Sequence, residues 1–92
     1  MKEEKIKKDL KDSILKILNN NTNQGIVKQE IDVSHVWEKN GCFENSSYKI
    51  ALIVNVINTI KTTLPSISIV KLSITPHGNK INLEYKPTYT LH

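Results

Sequence analysis

The fold turns on Ser68–Lys86, SIVKLSITPHGNKINLEYK. Ser68, Val70, Leu72 and Ile74 alternate with their neighbours, and further on Ile81, Leu83 and Tyr85 alternate against Lys80, Asn82, Glu84 and Lys86. A period of two is the mark of a half-buried strand. Between the two runs lies Pro76-His77-Gly78-Asn79, a short loop with Gly where a positive φ is needed, so the pattern predicts an antiparallel hairpin over residues 67–86. Pro87 closes the second strand. Lys71, Lys80 and Lys86 would ride on this hairpin, which reads as a lysine-bearing finger projecting from the helices that precede it.

Working back from the hairpin, residues 46–64 carry the strongest helical signal. Ile50, Ile53, Val54, Val56, Ile57, Ile60 and Leu64 fall within an arc of about 160° at 100° per residue. Tyr48, Ala51, Leu52, Asn55, Asn58, Thr59 and Thr62 fall opposite, on a face that is almost uncharged. Asn45, Ser46 or Ser47 supplies the cap, and Pro65 ends the helix. A first helix over residues 3–20 places Ile6, Leu10, Ile14, Ile17 and Leu18 on one stripe, and the polar run Asn19–Gln24 with Gly25 closes it. A short strand at 25–28 and a short helix at 33–40, capped by Asp32 and carrying Val36 and Trp37 as core, lie between. Val27, Ile31 and Val33 also share strand parity, so a strand running through Val33 competes with that helix. Residues 87–92 form a tail whose Tyr89 and Leu91 offer contacts to the body or to a second copy. The whole is a single α+β domain of 92 residues, in the order α-β-α-α-β-β.

Composition narrows the functional classes. All thirteen cations are Lys and none is Arg. Without a guanidinium fork, the commonest way of reading guanine is closed. The bias toward Lys, Asn and Ile matches A/T-rich codons. The net charge of +4 is uneven: residues 1–16 carry +2, residues 17–44 carry −2 and residues 45–92 carry +4. A basic C-terminal half suits a polyanionic partner, as well as a surface kept soluble by lysine. The longest apolar run, Ile50–Val54, is far short of the ~18 residues of a membrane span, and the charged N-terminus lacks the pattern of a signal peptide. A cytoplasmic protein is expected. One cysteine, Cys42, allows no internal disulfide, and the spacing of His35, His77 and His92 gives no metal motif. His35 and Cys42 lack a supporting neighbourhood for nucleophilic catalysis, and no two glycines lie close enough to cradle a phosphate. The expectation is a non-enzymatic protein with no cofactor.

The element order and lengths from Ile6 to Tyr85 resemble the winged helix-turn-helix superfamily, with 33–40 and 46–64 as the helix-turn-helix and the hairpin as the wing. Gly41–Asn45 makes the intervening turn longer than is usual there. The resemblance implies binding of double-stranded DNA. It assigns phosphate contacts to Asn45, Ser46 and Ser47 at a helix N-terminus, with Lys49 beside them and Tyr48 and Asn55 facing outward. The same residues also suit plain capping and surface roles. Beyond its first turn the exposed side of that helix lacks cations, so the wing and the start of the first helix are expected to do much of the gripping. That adds Lys2, Lys5, Lys71 and the tip His77, Gly78, Asn79 and Lys80, which could enter a narrow A/T-rich minor groove. Transcriptional regulation, or an accessory role at a plasmid or viral replication, partition or conjugative-transfer origin, would follow, with a homodimer through the tail as an option. The competing reading is a protein-interaction module, such as an immunity or host-inhibiting protein, and it differs in lacking steep salt dependence toward DNA.

Overall fold

The computed structural model describes residues 2–19, 25–43, 45–64 and 67–87. Three helices and a three-stranded antiparallel sheet follow in the order α1 (Lys2–Asn19), β1 (Val27–Asp32), α2 (Ser34–Lys39), α3 (Ser46–Thr63), β2 (Ile67–Ile74) and β3 (Lys80–Pro87). The α+β class and the element order are those the sequence predicts. The expected tail contacts of residues 88–92 lie outside the described residues.

Helix α1 has glutamates at its positive end and Lys16 in its last turn, which complements the macrodipole. Its stripe Ile6, Leu10, Ile14 and Leu18 is buried, with Ile17 packed at the margin. Asp32 does not cap a helix beginning at 33. Its Oδ1 accepts from the Ser34 amide at 2.9 Å and the Ser34 hydroxyl at 2.6 Å, which delays the helix start by a residue. The strand predicted at 25–28 is likewise corrected: β1 runs on to Asp32, because Val27 and Ile31 both point into the core while Lys28 and Glu30 are exposed.

Helix α3 is capped by Asn45, whose Oδ1 accepts from the Tyr48 amide at 2.9 Å. Its buried face is rotated from the predicted arc. Leu52 is 4% exposed and Val54 is 38% exposed, the reverse of the sequence assignment. The cause is tertiary: α1 packs against the Tyr48–Leu52–Val56 flank, which a helix covered on only one side would leave to solvent. At the far end the Thr62 and Thr63 hydroxyls both donate to the Thr59 carbonyl, at 3.0 and 2.7 Å.

The hairpin forms, but it is not a free finger. Strand β3 is central, in the order β1-β3-β2. Val27 pairs with Tyr85 and Ile31 with Ile81, and across β3 Leu72 pairs with Leu83 and Ile74 with Ile81, so these rungs form the inner face. The alternation expected through Ser68, Val70 and Leu72 is broken by a bulge between Ile69 and Lys71. The apolar residues explain it: Ile67 and Ile69 are out of phase with Leu72 and Ile74, and one extra residue turns all four to the core. Val70 is that residue, and it is 58% exposed.

The hairpin tip is tied to the body. The Gly78 amide donates to the Thr75 carbonyl at 2.8 Å, with Pro76 at the second position of the turn. The Val33 amide donates to the Asn79 carbonyl at 2.8 Å, and Trp37 Nε1 donates to the Gly78 carbonyl at the same distance. Gly78 has φ +72°, and a Cβ there would sit 3.0 Å from Lys49 Cβ, on the wall of α3. Only glycine meets both demands.

Candidate functional site

Most residues singled out from sequence are gathered at one end of the molecule. The Gly78 backbone packs against Lys49 and Ile50, which brings His77, Gly78, Asn79 and Lys80 beside the first turn of α3. On the other flank Lys2 Nζ donates to the Gly41 carbonyl at 3.0 Å and Lys5 Nζ to Asn40 Oδ1 at 3.4 Å, so the start of α1 lies over the turn between α2 and α3. The Tyr48 hydroxyl reaches Glu3 Oε1 at 3.3 Å. Asn45, Ser46, Ser47, Tyr48 and Lys49 therefore sit between the start of α1 and the hairpin tip.

Several of these side chains also have structural tasks. Asn45 caps α3, Tyr48 is half-buried rather than outward-facing, and Gly78 is a packing glycine inside the tip. Lys49 Nζ lies 5.8 Å from the centre of the Trp37 ring, a cation–π contact that holds the ammonium beside the tip. Lys2 and Lys5 lean toward the end of α2, where they donate to Gly41 and Asn40. Ser47, Asn45, His77 and Lys80 are exposed.

Lys71 and Asn55 lie elsewhere. Lys71 belongs to the outer face of the sheet, a shallow depression of about 360 Å³ lined in part by Lys28, Glu30, Lys71, Asn82 and Glu84. There the cations face carboxylates: Lys71 Nζ is 3.9 Å from Glu84 Oε2, Lys80 Nζ is 3.7 Å from Glu30 Oε1, and Lys28 stands opposite Glu84 in the ladder. Asn55 sits in a separate cleft between α1 and α3 with Lys7, Lys8 and Lys11.

Two features escaped the sequence reading. Phe43, in the turn before α3, is 85% exposed; its neighbour Cys42 is buried, and nothing in the local pattern says which of the two enters the core. In the sequence Lys7, Lys8 and Lys11 look like an ordinary solvated flank, although Lys7 and Lys11 border the buried stripe at helical spacing. His35 Nε2 lies 3.1 Å from Ser13 Oγ at the surface. Among the described residues no group of three His, Cys, Asp or Glu is placed to hold a metal ion, and no helix is long and apolar enough to cross a membrane.

Two carboxylates are held below the ordinary aspartate range. Asp9 is lowered first by the hydrogen bond from Asn40 Nδ2, at 3.0 Å, and then by Lys39. Asp32 is lowered first by the Ser34 hydroxyl and then by the Ser34 amide, with Lys80 adding a smaller effect. Both brace the α2 region through these hydrogen bonds. Compared with known proteins, the chain matches no family model, no curated protein and no solved structure.

Proposed function

We propose that the protein binds double-stranded DNA without catalysing a reaction, through the end where the first turn of α3 meets the hairpin tip. The observation that carries this reading is the packing of Gly78 against Lys49, which sets an exposed loop tip beside a helix N-terminus in one continuous surface. With β1 against β3 and the tip beside α3, the arrangement resembles a winged helix-turn-helix with a short wing held to the body. The positive end of the α3 dipole, together with Ser47 and Lys49, suits a phosphate. His77 and Lys80 suit the edge of a groove, and with no Arg the contacts favour A/T-rich shape over guanine reading. A regulator of transcription, or an accessory factor at a replication, partition or conjugative-transfer origin, is the role such a domain would fill in the cytoplasm of a plasmid- or virus-bearing cell.

Phe43 favours the second reading, a protein-interaction module, since an aromatic ring this exposed also suits a protein partner. Titration of a fluorescent duplex with the protein between 50 and 200 mM salt separates the two. A DNA binder loses affinity at least tenfold over that range, because each neutralised phosphate releases counterions. Absence of duplex binding at the lowest salt would refute the DNA reading.

A further inference from the structure

The cleft between α1 and α3 is a second cationic surface, distinct from the tip; what it would hold rests on the DNA reading above. It has a volume of about 320 Å³ and is lined by Lys7, Lys8 and Lys11 on one wall and Asn55, Val56 and Thr59 on the other. The tie between Tyr48 and Glu3, and the pairing of Lys7–Lys11 with Asn55–Thr59, show that the two helices run in the same sense along it.

Two of its three ammonium groups lack a close carboxylate. Lys7 reaches Glu3 at 3.6 Å, but among the described residues no carboxylate lies within 4.0 Å of the Lys8 or Lys11 ammonium; on the sheet Lys71 and Lys80 each have one, whereas Lys28 and Lys86 do not. The opposite wall brings no acid: Thr59 donates its hydroxyl to the Asn55 carbonyl, and the Asn55 side-chain amide is exposed. Val56 is buried beneath. Alongside runs the exposed strip of α3 with Ala51, Asn55, Asn58 and Thr62, short and uncharged, which presents nothing to repel a polyanion.

We infer that this cleft holds backbone phosphates of the duplex, with Lys8 and Lys11 as the principal cations and the Asn55 amide as a neutral donor. Lysine gives point charges without a bidentate fork, so the grip is independent of sequence. It also sets cations beside the uncharged strip of α3, whose own Lys61 lies in the last turn, and it places the whole exposed strip of α3 against DNA rather than its N-terminus alone.

The test compares the variant Lys8→Gln/Lys11→Gln with a control, Lys28→Gln/Lys86→Gln, that removes the same charge from the outer face of the sheet. Both pairs are at the surface, and circular dichroism checks that each variant folds. Affinity for a fluorescent duplex is read over a salt series. With about 0.9 of slope per phosphate contact, the cleft variant flattens the plot of log affinity against log salt by nearly two, and the control by less than half of that. Asn55→Ala weakens binding while leaving the slope unchanged. A cleft variant with the wild-type slope, or a control that flattens it equally, overturns the cleft assignment and leaves the DNA reading standing. A wild-type protein that binds no duplex overturns the DNA reading, and the cleft assignment with it.

Discussion

The Trp37 indole nitrogen donates to the Gly78 carbonyl across 2.8 Å in a buried setting, and this bond joins α2 to the hairpin tip. The two residues are 41 positions apart, so the contact closes the sheet against the helices late in the chain. Trp37→Phe keeps an aromatic ring but leaves that carbonyl without its donor. A loss of about 1–3 kcal/mol in urea unfolding is expected. Faster amide exchange at Asn79 and Lys80 should accompany it, since the tip loses one of its two ties. An unchanged urea midpoint would mean that the Val33–Asn79 backbone bond holds the tip alone.

Leu52 and Val54 show how a readable helix can still be placed wrongly. Leu52→Ala should cost about 2–5 kcal/mol, because it opens a cavity between α1 and α3. Val54→Ala should cost less than about 1 kcal/mol, since that side chain already meets water and alanine is the better helix former. Periodicity alone reverses the two values. The measurement is the difference in unfolding free energy between the variants.

The reason is that a hydrophobic arc reports the mean direction of burial, whereas α3 is covered on two flanks, by α1 and by β2. The same limit explains the sheet. The alternation Ile81, Leu83, Tyr85 was legible because β3 is the central strand with a regular ladder. In β2 two apolar pairs lie out of phase, and only the pairing with β3 shows that a bulge at Val70 reconciles them. At the candidate site, a cap among Asn45, Ser46 and Ser47 and the need for glycine at 78 were visible locally, and the structure gives the cap to Asn45. The cleft lysines were not, because their significance depends on which wall of α3 stands opposite them.

Acid should weaken the fold through Asp32 and Asp9. Both are lowered below the ordinary value of 3.8, so each prefers its charged form in the folded protein. Their contribution is complete above that value and is lost as pH falls through the lower, folded-state value. The urea midpoint of the wild type is therefore expected to decline as pH is lowered from about 5 to 2. Asp32→Ala starts from a lower midpoint and declines less steeply, because the Ser34 hydroxyl and amide no longer discriminate between protonation states. Asp9→Ala behaves alike through Asn40. Parallel curves for wild type and Asp32→Ala would place the acid sensitivity elsewhere.

On the proposed DNA-binding reading, the carboxylates on the outer face of the sheet should set how strongly its lysines attract the duplex. Glu84 stands between Lys28 and Lys71 in the ladder, and Glu30 faces Lys80 across 3.7 Å. At these distances each acid cancels much of the field its lysine presents to an approaching phosphate, although exposed pairs of this kind add little to stability. Glu30→Gln/Glu84→Gln should therefore leave the unfolding free energy within about 1 kcal/mol of wild type. It should strengthen duplex binding several-fold at low salt, with the gain shrinking as salt rises. Lys71→Ala/Lys80→Ala should weaken binding by a comparable factor, because it leaves Glu84 and Glu30 unpaired on the same face. Binding abolished by the lysine variant and unaffected by the glutamate variant would show instead that Lys71 and Lys80 leave their partners to grip DNA directly, as a wing-led mode requires.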